Sequence, residues 1–382
     1  MTDFKTYAEG TPFTGKIGRT VSTSEAAWPS APRARPGAPN VLVFLLDDVG
    51  FAQLGCYGSD IHTPNIDRLA AGGLRYRDFH TTAICSPTRA SLLTGRNPHS
   101  NGVGIIQEMA TGFPGYNGSV PKENGFLSEM LLAQGYATFG IGKWHLTPAS
   151  ECAAGATRVR WPLSRGFETF YGFIGGKTSQ WVPALVHDNH CIEPPRRPEE
   201  GYHLNADLAD HAISNLVDLR AVASSKPFFM YYCLAAGHSP HHVEPEWIER
   251  YRGKFDKGWD RWREEVFARQ LQLGIVPPFD SIENMLNTDF IPDGCAIDAE
   301  DHVWVADAKG GRAVRVAPNG EVVQTVKAPD GCGVYACALG GPQGNTLLLC
   351  AAPDFSDVNR RAANEAVLYV EEVKVPRGQG LP

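Results

Sequence analysis

Val41-Leu-Val-Phe-Leu-Leu46 is apolar at six successive positions and ends abruptly at Asp47-Asp48. A strand wetted on one face alternates polar and apolar residues, so an unbroken run suits a strand buried on both faces between layers of helix. Tyr136-Ala-Thr-Phe-Gly-Ile141 is a second such run, leading into Gly142-Lys-Trp-His145, and Phe228-Phe-Met-Tyr-Tyr-Cys-Leu-Ala235 is a third, leading into Gly237-His238. Helical patterns lie between them. Thr63 is an N-cap with Pro64 in the first helical position, followed by Ile66, Leu69 and Ala70 and a stop at Gly72, and Phe126–Leu132 closes at Gly135. This alternation, from about residue 40 to 275, predicts βαβ units and an α/β fold with a parallel sheet. Ligands of such sheets bind outside the carboxyl ends of the strands, so the three ionisable clusters are expected to converge on one site.

The texture differs at both ends. Residues 1–39 contain the Pro-rich stretch Trp28–Pro39, which cannot continue a helix or a central strand and reads as an extended arm. Beyond residue 278 the apolar positions alternate in twos, as in Val303-Trp-Val-Ala306 and Ala313–Val326, with Asn319-Gly320 as a hairpin turn. The expected division is therefore an arm (1–39), an α/β domain (40–277) and an antiparallel segment (278–382), with the boundary at Pro277-Pro-Phe-Asp280. The 382 residues suffice for two domains.

Composition removes several classes of function. Lys and Arg number 35 against 42 Asp and Glu, a net charge of 35 − 42 = −7, which argues against binding a nucleic-acid backbone over a broad surface. No apolar run reaches the eighteen residues of a membrane span and the N-terminus carries no signal-peptide core, so a soluble cytoplasmic protein without membrane contact is expected. Nine cysteines at irregular spacing form no disulfide framework and are expected to be reduced.

Cys85-Ser-Pro-Thr-Arg89 is the most informative segment. Ser86 is expected to cap a helix with Pro87 at its first position, a body over 88–94 and a stop at Gly95. Cys85 then sits at a helix N-terminus, where an anion is favoured, and Arg89 lies one turn along the same face. Read alone, Cys85 is also compatible with a small buried residue beside an ordinary helix start. Asp47-Asp48 at a strand end suits a hard cation such as Ca²⁺ or Mg²⁺, or else a turn pair. Lys143 and His145 pair a cation with a proton carrier, and His238-Ser-Pro-His-His242 adds imidazoles that also suit a solvated loop.

Asp47-Asp48, Cys85-Ser-Pro-Thr-Arg89 with Ala-Ser-Leu-Leu-Thr-Gly-Arg96, Arg165–Gly176, Gly142-Lys-Trp-His-Leu146 and His238-Ser-Pro-His241 resemble the sulfatase family, above all its bacterial arylsulfatases, over about residues 10–275. The resemblance implies an alkaline-phosphatase-like sheet sandwiched by helices, here truncated, and hydrolysis of a small-molecule sulfate ester. It implies that a maturation enzyme oxidises Cys85 to formylglycine, which supplies the nucleophile and a metal ligand. It further implies Ca²⁺, or else Mg²⁺, on Asp47 and Asp48, with Arg89 on the nucleophile, Lys143 on the sulfate, His145 and His238 as proton carriers, and His241 nearby. A phosphonate or phosphate monoester hydrolase shares the signature. The family's later Asp-Asn metal pair and second sulfate-binding Lys have no counterpart, Asp188-Asn189 being the nearest pair but placed before His238.

Ile291-Pro-Asp-Gly-Cys-Ala-Ile-Asp298, Val303-Trp-Val-Ala-Asp307, Gly311–Arg315 and Leu349–Asp354 instead resemble the senescence marker protein and gluconolactonase propellers, with Asp293 matching a metal-binding Asp. About two blades of such a propeller are expected. An inactive product of fusion and truncation is the remaining reading.

Overall fold

The computed structural model describes residues 12–28, 32–77, 79–153, 155–276, 292–329, 331–354 and 365–378. Two compact units are present, Met1–Gln53 with Gly72–Asp256, and Leu54–Ala71 with Lys257–Pro382. Strands and α-helices are numbered along the chain. The expected boundary at 277–280 and the side chain of Asp293 lie outside the described residues.

The first unit is built on one six-stranded sheet of β1 (Val41–Leu45), β2 (Ala137–Lys143), β3 (Thr169–Phe173), β4 (Leu185–His187), β5 (His190–Ile192) and β6 (Phe228–Cys233), in the order β1-β6-β2-β3-β4-β5. The first four neighbours run parallel, as expected, while β4 and β5 extend the sheet as an antiparallel hairpin. Period-two alternation sorts the central strand β6 between two cores. Phe229, Tyr231 and Cys233 face α2 (Cys85–Thr94) and α3 (Leu127–Ala133), with Trp144 and Phe126 in the same cluster. Met230 and Tyr232 face α4 (Leu204–Val222), where Leu204 and Leu208 are fully buried. Every residue of β2 is buried. Each Leu, Ile or Phe so placed contributes about 1.5–3 kcal/mol of transfer free energy. The short α5 (Pro245–Tyr251) follows β6.

The first apolar run departs from its expected environment. Among the described residues β1 is the edge strand, paired with β6, and α4 packs over β2 and β3 rather than over β1. Val41, Val43 and Leu45 accordingly reach one core while Leu42 and Phe44 are 56% and 48% exposed, Phe44 stacking on Tyr232 at 5.2 Å. An unbroken apolar run does not reveal which face its neighbours cover. One glycine is indispensable to the sheet: Gly142 has φ +91°, and a Cβ there would lie 1.9 Å from the carbonyl oxygen of Cys233. It ends β2 against β6 at the position just before Lys143.

The second unit contains α1 (Pro64–Ala71), α6 (Gly258–Gln272) and two antiparallel sheets. Asp60 ties α6 to the segment before α1, accepting from Trp262 Nε1 at 2.7 Å and pairing with Lys257 at 3.5 Å. β7 (Pro292–Ile297), β8 (Val303–Asp307), β9 (Arg312–Val316) and β10 (Val322–Lys327) form a four-stranded sheet, and β11 (Gly333–Gly340), β12 (Thr346–Ala352) and β13 (Val367–Glu372) a three-stranded one. Gly320, at φ +86°, turns the chain between β9 and β10 where Asn319-Gly320 predicts it. Trp304, Ala313, Val334, Leu347 and Leu349 close a core shared by both sheets. The two antiparallel sheets are what the alternation beyond residue 278 predicts. Among the described residues no helix is long and apolar enough to cross a membrane.

A buried carboxylate fastens α4 to the sheet of the first unit. Asp207, 6% exposed, accepts from the hydroxyls of Tyr171 at 2.7 Å and Tyr202 at 2.9 Å. Burial, together with those bonds to Asp207, keeps both phenols protonated by raising them well above their ordinary range. Asp207→Ala leaves two hydroxyls without their acceptor, a loss of about 3 kcal/mol. A marked fall in the thermal midpoint of the first unit is expected, and a midpoint unchanged from the parent would show that these bonds add nothing net.

Candidate active site

The three ionisable clusters meet at the carboxyl end of the sheet. Asp47, two residues beyond the end of β1, is 4% exposed, and its Oδ2 lies 2.5 Å from the Nζ of Lys143, the last residue of β2. Arg89 approaches its Oδ1 at 3.6 Å and is itself 1% exposed. The same guanidinium donates through Nη1 to the carbonyl of Lys143 at 2.8 Å and reaches the hydroxyl of Tyr231 on β6 at 3.5 Å. Two buried cations therefore share one buried carboxylate, an arrangement stable only while all three stay together. Arg89 Nε has no hydrogen-bond partner among the described residues, leaving one strong donor unspent.

The carboxyl end of β6 completes the loop layer. Gly237, at φ +100°, allows close approach to the end of β1: a Cβ there would lie 2.1 Å from the carbonyl oxygen of Asp47. His238 Nε2 stands 3.8 Å from Asp48 Oδ2, and its Nδ1 bonds the carbonyl of Ser239 at 2.7 Å. Asp48 itself has φ +54°, a left-handed conformation that aspartate tolerates better than bulky residues. His241 lies exposed in the following loop.

Helix α2 starts at Cys85, with Ile84 in the capping position, so Ser86 and Pro87 lie within the first turn rather than ahead of it. Ser86 Oγ is buried and caps nothing. The stop at Gly95, φ +67°, is where the sequence predicts it. Cys85 Sγ lies 3.2 Å from His145 Nδ1. Arg89 reaches Lys143 and Asp47, contacts that one-turn spacing could not indicate.

His145 is 3% exposed, at φ +55°, with its ring over Gly176, where any Cβ would meet Nε2 at 2.6 Å. Its Nε2 faces Glu108, at 2.8 Å from Oε2 and 3.1 Å from Oε1. Nothing in the sequence near Gln107-Glu-Met109 signals this role, because the contact spans 37 residues. Burial is the main force on His145 and, with the charges of Lys143 and Arg89, holds the imidazole below its ordinary pKa despite the bond to Glu108. Burial pulls Glu108 upward, but the bond from His145 and the charge of Lys143 outweigh it and hold the carboxyl below its ordinary range. A neutral imidazole donating Nε2–H to Glu108 presents a bare Nδ1 to Cys85.

The residues that the resemblance assigns to Ca²⁺ do not assemble a calcium site. Asp47 is spent on Lys143 and Arg89, Asp48 lies nearest His238, and among the described residues no three His, Cys, Asp or Glu side chains converge to hold a metal ion. Ca²⁺ takes six to eight oxygens. Asp188, the nearest pair candidate, is also spent: at φ +56° it turns the chain between β4 and β5 and accepts from the Phe170 amide at 2.9 Å. Arg165 serves the fold, donating to the carbonyls of Pro121 and Asn124 and stacking on Phe126 at 3.8 Å.

His145, buried and neutral, and Glu108, ionised beside it, act on stability in the same direction. The unfolded chain binds protons that the folded unit refuses, first at histidine near pH 6.5 and then at glutamate near pH 4.5. Stability is therefore present at pH 7 and is lost as the pH falls through that window. Denaturant titrations at pH 7, 6 and 5 are expected to show the decline, with a shallower slope between pH 7 and 6 in His145→Gln. An unchanged slope would contradict the burial argument.

The model of the sulfatase family matches residues 39–299, and that of the SMP-30/gluconolactonase/LRE-like region matches residues 266–353. An uncharacterized sulfatase of Schizosaccharomyces pombe is 35% identical over 268 residues, covering 64% of this chain and 46% of the relative. The arylsulfatase of Klebsiella aerogenes is 29% identical over 254 residues (64% and 52% covered), and human arylsulfatase A is 34% identical over 250 (58% and 45% covered). The chain spans about half the length of these relatives. The crystal structure titled Ps i-CgsB is 28% identical, with a TM-score of 0.48 over 62% of this chain and 53% of that one. With its family match running over more than half its length and the family's Cys-x-Pro-x-Arg segment at the head of α2, the chain belongs to the sulfatase family.

Proposed function

We propose that the first unit binds a small-molecule sulfate monoester at the carboxyl end of its sheet and hydrolyses it from position 85. The observation that supports this most strongly is the convergence of Lys143 and Arg89 on one buried carboxylate beside Cys85 and His145. Two fixed cations with few competing waters form a favourable place for an anionic head group. Lys143 neutralises the sulfate, and Arg89 holds both the Lys143 backbone and the Asp47 carboxylate in register.

Conversion of Cys85 to formylglycine by a maturation enzyme would supply an oxygen nucleophile at the head of α2. His145, kept neutral and oriented by Glu108, accepts the proton of that group through Nδ1. His238 donates a proton to the leaving alcohol, its ring held by the Ser239 carbonyl. The geometry of His145 and Glu108 favours a relay, because the acceptor on one ring nitrogen fixes the lone pair on the other. A divalent ion is left out of these steps, since the described residues do not form its site.

The test is aryl sulfate hydrolysis by the full chain co-expressed with a formylglycine-generating enzyme. Turnover is expected to vanish in Cys85→Ala and to fall about 10²–10⁴-fold in His238→Ala, the range for losing a general acid. Turnover of aryl phosphonates in preference to sulfates would move the reading to the related monoester hydrolases. No turnover above the Cys85→Ala background would overturn the proposal and leave a chain that keeps the family's fold without its reaction.

A further inference from the structure

Before any conversion of position 85, the site already holds a complete nucleophile, base and orienter. The nucleophile is the thiol of Cys85, on the first residue of a ten-residue helix. The base is His145 Nδ1 at 3.2 Å, and the orienter is Glu108, whose two oxygens lie 2.8 and 3.1 Å from Nε2. These side chains come from three separate places, the head of α2, the chain just after β2, and the turn Gln107–Met109. The ring cannot swing away, because the His145 amide donates to the Ile174 carbonyl at 3.0 Å and the ring lies over Gly176. Cys85 is half-buried, whereas Cys191, Cys295 and Cys350 are exposed and have no such partner described.

We propose that the unconverted polypeptide is an acyl acceptor, with Cys85 as nucleophile, His145 as base and Glu108 as the positioning residue, acting on activated carboxylic esters. The Cys85 sulfur attacks the carbonyl carbon, a C–S bond forms and the C–O bond of the ester breaks. The thiol proton passes to His145 Nδ1 and from there to the departing oxygen, giving a thioester and a free alcohol. Sulfate hydrolysis is not a premise here, because the two chemistries belong to different forms of residue 85. Failure of one leaves the other standing.

The probe is p-nitrophenyl acetate at pH 7 with full chain expressed without a maturation enzyme, the acetylation of each cysteine being followed by peptide mass spectrometry. Cys85 is expected to be acetylated at least about tenfold faster than exposed Cys191 of the same molecule, a modest share of what a positioned base supplies. His145→Gln and Glu108→Gln are expected to remove that advantage while leaving Cys191 unchanged, with Glu108→Asp recovering part of it. A Cys85 rate no higher than that of Cys191 overturns the proposal without any variant having to fold. A fast Cys85 that neither substitution slows overturns it as well, because the helix terminus alone would then account for the reactivity.

Discussion

The carboxylate of Asp47 is the interaction on which the site depends. It is withdrawn from water, and on its own it would be too costly to keep ionised in that place. Lys143 from the end of β2 and Arg89 from α2 offset the cost, and in doing so they bring strand, helix and loop to one point. The dependence is mutual: deleting one member of such a buried set costs about 3–5 kcal/mol because the others are left uncompensated. Cations that would otherwise extend into solvent are thus held rigid in the site, which is the property an anion-binding centre requires.

Around that set, backbone conformations that few residues tolerate bring the chains close together. Gly142 and Gly237 admit neighbouring carbonyl oxygens at distances that exclude any side chain, and Asp48 and His145 adopt left-handed conformations directly beside the reacting groups. Strain of this kind persists where packing over-determines it. Here the packing is the aromatic core of Phe126, Trp144, Phe167 and Phe229 under α2 and α3.

Much of this was legible in the residues. The three strands, the clusters at their ends, the stop at Gly95 and the turn at Asn319-Gly320 all follow from local chemistry. The edge position of β1 was not legible, since six apolar residues look alike whether one face or two are covered. The start of α2 was misplaced because Ser86 and Pro87 satisfy capping preferences that the fold does not use. Glu108 was invisible because no local pattern marks a carboxylate that becomes significant only through a partner 37 residues away. The family resemblance supplied roles for Cys85, Lys143 and His238, whereas the pairing of Asp47 with Lys143 comes from the structure alone.

The most direct test of this account is the equilibrium binding of inorganic sulfate to the unconverted full chain, measured by calorimetry alongside Lys143→Met. If Lys143 and Arg89 are held as a preformed anion site by Asp47, binding is saturable with one sulfate per chain and is abolished by the substitution. Equal binding by both proteins would contradict the account and place the anion site elsewhere.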